Sequence, residues 1–333
     1  MAVRETVIPA PRDAGCMRIA VVGGGAMGSL FAALLTRAGH DVSLLDRSAE
    51  RADAAREGVR VERPDGTAFT VPVAATTEGD SLHVADLLVV AVKSYDTAAA
   101  VADAAPAVGP DTAVLTLQNG LGNAETVAEA VPEERVLAGT TAHGATLLGP
   151  GRVRHAGTGP TRVGRYFAAN DDRVAAVADA LTRAGVETTV VDDVRDAIWA
   201  KVAVNAGVNP VTALADVDNG ALSGGVGDRL LAAAVREAAA VARAVGRDVP
   251  DSTVDDARAV VESTAANRSS MHADLAAGRR TEVEAINGAV VEAGEAHGVP
   301  VPVNRTLADL VRLASGYSGD GGDVTPTNGG SSR

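Results

Sequence analysis

Ile19-Ala-Val-Val22 is a short apolar run that ends in glycines, and beyond it Leu30, Ala33 and Leu34 recur at helical spacing up to Gly39. The pattern predicts a strand, then a helix over 26–38 that the glycine stops. A second strand over 42–45 completes strand, glycine turn, helix, strand, the opening βαβ of a doubly wound parallel sheet. Val59-Arg-Val61 and residues 68–71 flank Asp65-Gly66 and predict a hairpin. Residues 87–92 and 113–117 are continuous apolar runs, the pattern of strands buried on both faces. The stretch 152–164 reads as another hairpin, and a helix over 172–184 and a strand over 188–191 complete this half.

Beyond about residue 192 the periodicity turns helical. Leu231, Val235, Ala238, Val241 and Val245 line one face before Gly246, and Val283, Ile286, Val290 and Ala293 repeat the pattern before Gly298 and Pro300. Asn304 is the predicted N-cap of a last helix through Leu307, Leu310 and Val311. The expected fold class is therefore α/β: an N-terminal Rossmann-type doubly wound sheet over 17–192, then an all-helical C-terminal domain over 193–314. Residues 1–16 read as a disordered extension, with Met17 an alternative start. The Gly-, Ser- and Asp-rich segment 315–333 reads as a disordered tail.

Composition narrows the function classes. The 333 residues carry 43 acidic against 30 basic side chains, a formal charge of −13, and only 2% aromatics. A phosphate-tracking or base-stacking nucleic-acid surface does not fit that balance. No apolar run reaches membrane-spanning length, and the single cysteine, Cys16, supplies neither a disulfide framework nor a multi-cysteine metal site. The six histidines show no metal spacing. These features predict a soluble intracellular, cytoplasmic protein with no metal, nucleic-acid or membrane partner; a homodimer is compatible with them. Of the 30 basic residues only Lys93 and Lys201 are lysine, and all the others are arginine.

Gly23-Gly24-Gly25-Ala26-Met27-Gly28 fits G-x-G-x-x-G at the start of a βαβ unit, where glycines permit a tight turn, close approach of a pyrophosphate and close helix packing. At the end of the second strand the signals are split. Asp46 stands where a carboxylate would accept a ribose 2′-hydroxyl, whereas Arg47 beside it could pair with a 2′-phosphate. Lys93, at the C-terminal end of an apolar strand, lies on the edge where such sheets bind ligands.

In Trp199-Ala-Lys201-Val-Ala-Val-Asn205-Ala-Gly-Val-Asn209-Pro210, the lysine and the two asparagines are four apart. On a helix they form one polar ridge, which Pro210 is expected to end. A solvated face is the ordinary explanation of such a ridge, but solvated faces in this chain are built from Arg, Glu and Asp. A second set follows: Asn267, Ser270 and Asp274, then Thr281, Glu282, Glu284, Asn287 and Gly288. Thr281 with Glu284 fits a capping box, which places Glu282 in the first helical turn as an ionised partner for a lysine.

With these motifs in hand the sequence resembles the ketopantoate reductase (2-dehydropantoate 2-reductase) family from Met17 to about Ala314. The resemblance rests on the glycine motif, Val92-Lys93-Ser-Tyr-Asp-Thr, Leu117-Gln-Asn119-Gly120, the Lys201 ridge, Asn219-Gly220, Asn267 with Ser270, and Glu282 with Ile286-Asn-Gly288. It implies NADPH-dependent reduction of ketopantoate to D-pantoate on the route to coenzyme A. Lys201 would be the general acid and Glu282 would position it and bond the new hydroxyl. Asn205, Asn209, Asn267 and Ser270 would hold the substrate, and Asn119 would lie between substrate and cofactor. Arg47 and Lys93 match positions facing the 2′-phosphate. Asp46 departs from the family pattern, which leaves NADH or dual use open. Other readings are a reductase of another branched 2-oxoacid, a β-hydroxyacid dehydrogenase, and a catalytically silent NAD(P) sensor, against which the retention of Lys201 and Glu282 speaks.

Overall fold

The structure, a computed structural model, describes residues 15–316. Most of the two predicted disordered ends therefore lies outside the described residues. Strand β1 (Arg18–Val22) leads through the glycine turn into α1 (Ala26–Arg37), and β2 (Asp41–Leu45) returns parallel to β1. After α2 (Ala49–Glu57), β3 (Val59–Glu62) and β4 (Ala68–Val71) form the predicted hairpin, and β5 (Ala74–Thr76) pairs with β2. The other flank is built by β6 (Leu87–Val90), α3 (Thr97–Asp103), β7 (Ala113–Thr116), α4 (Asn123–Ala128) and β8 (Val136–Thr141). Next come β9 (Gly144–Gly149), β10 (Arg152–Gly157), β11 (Thr161–Arg165), α5 (Asp172–Arg183) and β12 (Thr188–Val190).

The main sheet has eight strands in the order β12-β11-β8-β7-β6-β1-β2-β5. Its β1 is flanked by β2 on one side and by β6 on the other, both parallel to it. The winding reverses there, so the crevice beyond the C-terminal ends of β1 and β6 is the switch point where such sheets bind ligands. All four residues of β6 and of β7 are buried, as their unbroken apolar runs predict.

Strands β4-β3-β10-β9 form a second, four-stranded sheet. It covers α1, whose Leu30, Phe31, Leu34 and Leu35 share one core with Val59, Val61 and Val153. The hairpin expected over 152–164 is thereby corrected: β10 pairs with β9 and β3, whereas β11 crosses to the main sheet and pairs with β8. The alternating burial of β10, with Val153 and His155 inside and Arg152 and Arg154 outside, suits a sheet covered on one face.

The helical half comprises α6 (Val194–Ala215), α7 (Gly225–Ala244), α8 (Thr253–Ser263), α9 (Ser270–Ala276), a π-helical turn (Glu284–Gly288), α10 (Ala289–Ala296) and α11 (Pro302–Ala314). Its separate core centres on α6 and α7, with Val202, Ala206, Leu231, Val235, Ile286 and Val311 fully enclosed. Three local expectations change here. Helix α6 does not end at Asn209 but continues through Pro210. A proline leaves the carbonyl four residues earlier without its N–H, and that carbonyl, Ala206 O, accepts instead from Asn287 Nδ2 at 3.0 Å. No capping box forms, because the Glu284 carboxylate binds the Arg312 guanidinium in a fork at 2.6 and 2.8 Å. Asn304 sits inside the first turn of α11, with Pro302 at the helix start, and its buried amide bonds Ala234 O, Glu237 and Asn287.

Candidate active site

The glycine turn occupies the crevice at the switch point. Gly23 has φ +103°, and a Cβ on it would strike Val92 and the backbone of Ala91, so glycine is required where β1 turns beside β6. Gly25 caps α1 without any side-chain bond to the first helical N–H groups, and a Cβ on it would project into open space. Uncapped N–H groups facing an open cradle are what a pyrophosphate needs, so the residues present fit a dinucleotide.

Asp46 and Arg47 follow β2 in different settings. Asp46 is buried and accepts from Gly24 N at 2.5 Å, Ser48 N at 2.7 Å and Arg51 Nη2 at 2.7 Å. Arg47 is exposed and pairs with Asp103 across the sheet edge at 3.0 Å. Asn119 lies in the loop after β7; its carbonyl accepts from Asn123 Nδ2, while neighbouring Gln118 bonds Val92 O and Thr97.

The two lysines approach the interface of the halves from opposite sides. Lys93, just past β6, reaches into the helical half and contacts Asp274 Oδ2 at 2.5 Å and Glu282 Oε2 at 3.5 Å. Glu282 also accepts from Ser94 N at 3.0 Å, and Asp274 is shared with Arg279 at 3.0 Å. Lys201, from α6, reaches the other way and donates to Thr141 O, at the end of β8, at 3.0 Å. Lys93 and Glu282 thus meet directly, whereas the ammonium of Lys201 bonds a main-chain carbonyl rather than Glu282. Asp274, four residues past Ser270 on α9, was not singled out from sequence as a partner of Lys93; that spacing was its one local signal.

Burial has opposite outcomes for these two ammonium groups. Desolvation disfavours charge on Lys93, but the carboxylates of Glu282 and Asp274 outweigh it and hold the group above the usual lysine range. At Lys201 desolvation dominates and pulls the group down to about 8, with the charge of Glu282 opposing. Lys93 is therefore a fixed cation, and Lys201 is an acid close to its titration point.

Asn205 and Asn209 stand one and two turns along α6 from Lys201, and Asn209 is only 6% exposed. Neither side-chain amide makes a hydrogen bond within the described residues, unlike the structural amides of Asn123, Asn170, Asn287 and Asn304. Asn267 and Ser270 are exposed at the entry to α9, where Ser269 is the N-cap. Asn219 N donates to Asn267 O at 2.9 Å, Asn219 Nδ2 donates to Thr264 Oγ1 at 2.9 Å, and a Cβ on Gly220 would lie 3.0 Å from Ala265, so the Asn219-Gly220 motif packs against the segment that leads to Asn267.

The halves are tied by main chain as well. Leu121 N donates to Ala285 O in the π-turn at 2.8 Å, and Gly120 packs so closely there that a Cβ would lie 2.5 Å from that carbonyl. Beside this contact opens a cavity of about 530 Å³, lined by Ser94, Tyr95 and Asn123 from one half and Arg280, Glu282 and Ala285 from the other.

A doubly wound sheet with a glycine turn at its switch point, faced by a helical half that presents a half-buried lysine, is the architecture of two-domain dehydrogenases. The chain belongs to the ketopantoate reductase family: residues 19–167 match ketopantoate reductase PanE/ApbA, and residues 193–315 match its C-terminal part. A 2-dehydropantoate 2-reductase of Halobacterium salinarum is 52% identical over 303 residues, covering 90% of this chain and 99% of that protein. Its namesake from Archaeoglobus fulgidus is 39% identical, covering 89% and 97%. Among solved structures, a PanE/ApbA family ketopantoate reductase from Ralstonia eutropha matches with a TM-score of 0.82 at 35% identity, covering 90% of this chain and 98% of that one. D-mandelate dehydrogenase, solved with NADH and anilino(oxo)acetate, matches with a TM-score of 0.83 at 27% identity, covering the same shares. None of the described helices is long and apolar enough to cross a membrane.

Proposed function

We propose that this chain reduces 2-dehydropantoate (ketopantoate) to D-pantoate, with NADPH as the reductant and Lys201 as the proton donor. The glycine turn would hold the pyrophosphate of the dinucleotide, and its reduced nicotinamide would supply the hydride. The observation that carries the reading is Lys201 itself: an ammonium brought down to about 8 by burial, on the same helix face as two unpartnered amides. Hydride addition builds negative charge on the substrate oxygen, and an aimed, weakly held proton stabilises it as it forms. Thr141 O fixes the direction of the ammonium, and the nearby Glu282 charge keeps it protonated near neutral pH.

Asn205 and Asn209 would orient the substrate along the ridge, with Asn267 and Ser270 at its outer end. Asn119 would stand between substrate and cofactor, and Arg47 and Lys93 would serve the cofactor phosphates. Residues 17–192 and 193–314 would act as the two units, with the reaction in the cleft between them. The likeness to D-mandelate dehydrogenase supports one second reading, reduction of another branched 2-oxoacid by the same machinery.

The test is absorbance at 340 nm with NADPH or NADH against ketopantoate and a panel of 2-oxoacids. Ketopantoate is expected to have the highest kcat/KM, and a better alternative would move the assignment to that acid. Lys201→Ala is expected to lower kcat by about two orders of magnitude or more while leaving cofactor affinity nearly intact. Unchanged turnover would remove Lys201 from the mechanism.

A further inference from the structure

We infer that Arg51, which neither the glycine motif nor the Asp46-Arg47 pair announces, sets the preference for a 2′-phosphate, with Asp46 as its positioning residue. The inference rests on the dinucleotide reading above and concerns which side chain reads the adenosine ribose. At the end of the second strand of a doubly wound sheet, a carboxylate ordinarily accepts the ribose 2′-hydroxyl and repels a phosphate there. Asp46 stands at that place but is already committed. Its Oδ1 accepts from Ser48 N at 2.7 Å and Arg51 Nη2 at 2.7 Å, and its Oδ2 accepts from Gly24 N at 2.5 Å. Arg51 Nε lies 3.1 Å from both oxygens.

A carboxylate offers about four acceptor positions, so a ribose hydroxyl would have to displace one of these charge-assisted or main-chain bonds. The side chain of Asp46 is also only 3% exposed, against 39% for that of Arg51. Of the pair, the side chain presented to solvent is therefore that of Arg51. With Nε and Nη2 held by Asp46, its Nη1 makes no bond within the described residues and keeps its donors for an anion. Arg47 adds a second cation, whose exposed pairing with Asp103 is weak enough to be exchanged for a phosphate. Asp46 thus braces the glycine turn through Gly24 and aims Arg51, and its own charge is neutralised in doing so.

The test is calorimetric binding of 2′,5′-ADP and of 5′-ADP to the full chain, with no turnover involved. Wild type is expected to prefer 2′,5′-ADP. Arg51→Ala should weaken 2′,5′-ADP by about tenfold or more, the loss of a charge-assisted bond, while 5′-ADP changes by less than about twofold. Arg51→Lys should restore only part, since it keeps the charge without the fork. Asp46→Asn, which keeps the shape, should also weaken 2′,5′-ADP selectively. If Asp46→Asn instead strengthens 2′,5′-ADP and weakens 5′-ADP, the carboxylate reads the ribose and the inference is overturned. Equal weakening of both ligands in Arg51→Ala overturns the role of Arg51 alone, whereas failure of wild type to bind either ligand overturns the dinucleotide reading itself.

Discussion

Helix α6 can carry its polar ridge past Pro210 only because a side chain from elsewhere supplies the missing donor, and that dependence is measurable. Asn287→Ala removes the 3.0 Å bonds to Ala206 O and Asn304 Oδ1. Asn304 Nδ2 keeps its bonds to Ala234 O and Glu237, but Asn304 Oδ1 loses its donor, and so does Ala206 O, deep in the helical core with no N–H at residue 210 to replace the amide. A buried acceptor left unpaired costs about 1–3 kcal/mol; two such acceptors and a small cavity, less the relief of Asn287 Oδ1, which is buried without a partner among the described residues, bring the expected total to about 2–4 kcal/mol. In a Pro210→Ala background a main-chain N–H becomes available to Ala206 O. There Asn287→Ala should cost about 1–3 kcal/mol less than in wild type, a coupling read by a double-mutant cycle. Urea unfolding followed by the fluorescence of Trp199, the chain's one tryptophan and itself on α6, gives the four stabilities. Additivity within about 0.5 kcal/mol would refute the idea that Asn287 stands in for the proline's missing N–H.

Other consequences follow from the site. Since only the ammonium form of Lys201 donates a proton, kcat/KM for reduction should fall as pH rises through about 8. The charge of Glu282 holds that group up, so Glu282→Gln should move the falling limb to lower pH; a limb that stays in place would separate Glu282 from Lys201. The same shift has a sign in stability. Lys201 titrates near 8 when folded and at 10.5 when unfolded, so the unfolded chain binds more protons between these values and the cost of burying this ammonium declines as pH rises across that window. Lys201→Met should therefore stabilise the fold more at pH 7 than at pH 10 in urea titrations, and an equal gain at both would argue against a buried charge. Gly120→Ala combines φ +91° with a clash against Ala285 and should cost about 1–3 kcal/mol, seen as a lower calorimetric Tm. An unchanged Tm would mean that the loop and the π-turn separate easily.

What could be read along the chain was local. The strands, the glycine turn and the hairpin at Asp65-Gly66 all depend on neighbours within a few residues, and the structure has them where the periodicity put them, with the strands expected over 87–92, 113–117 and 188–191 ending one or two residues earlier. The partners of a strand are not local: alternation marks β10 as a strand but says nothing about β3, which reaches it from some ninety residues earlier. The rule that proline ends a helix failed at Pro210 because its compensation lies at Asn287, 81 residues beyond the carbonyl it serves. The site divides in the same way. Lys201, Asn205 and Asn209 were legible because helical spacing places them together, and the scarcity of lysine made them stand out. The partners of Lys93, and the bond of Asp46 to Gly24, arise from how separate segments fold against each other, which no spacing rule encodes; Arg51 lies only five residues from Asp46, but no motif marks it.

The π-turn at Glu284–Gly288 has a further meaning once it is viewed as a count of residues rather than a set of bonds. A π-turn holds one residue more than the α-helical path between the same ends, and each residue of an α-helix turns the chain by about 100°. If 284–288 rewound as plain α-helix with no residue removed, everything upstream would rotate by about that angle relative to α10. Glu282 would swing away from Ser94 and Lys93 although the chain stayed helical throughout 284–296. The wide turn is thus a phase setting, matching the rotation of the segment before it to the helix after it. A change of winding there would be felt as a change of chemistry.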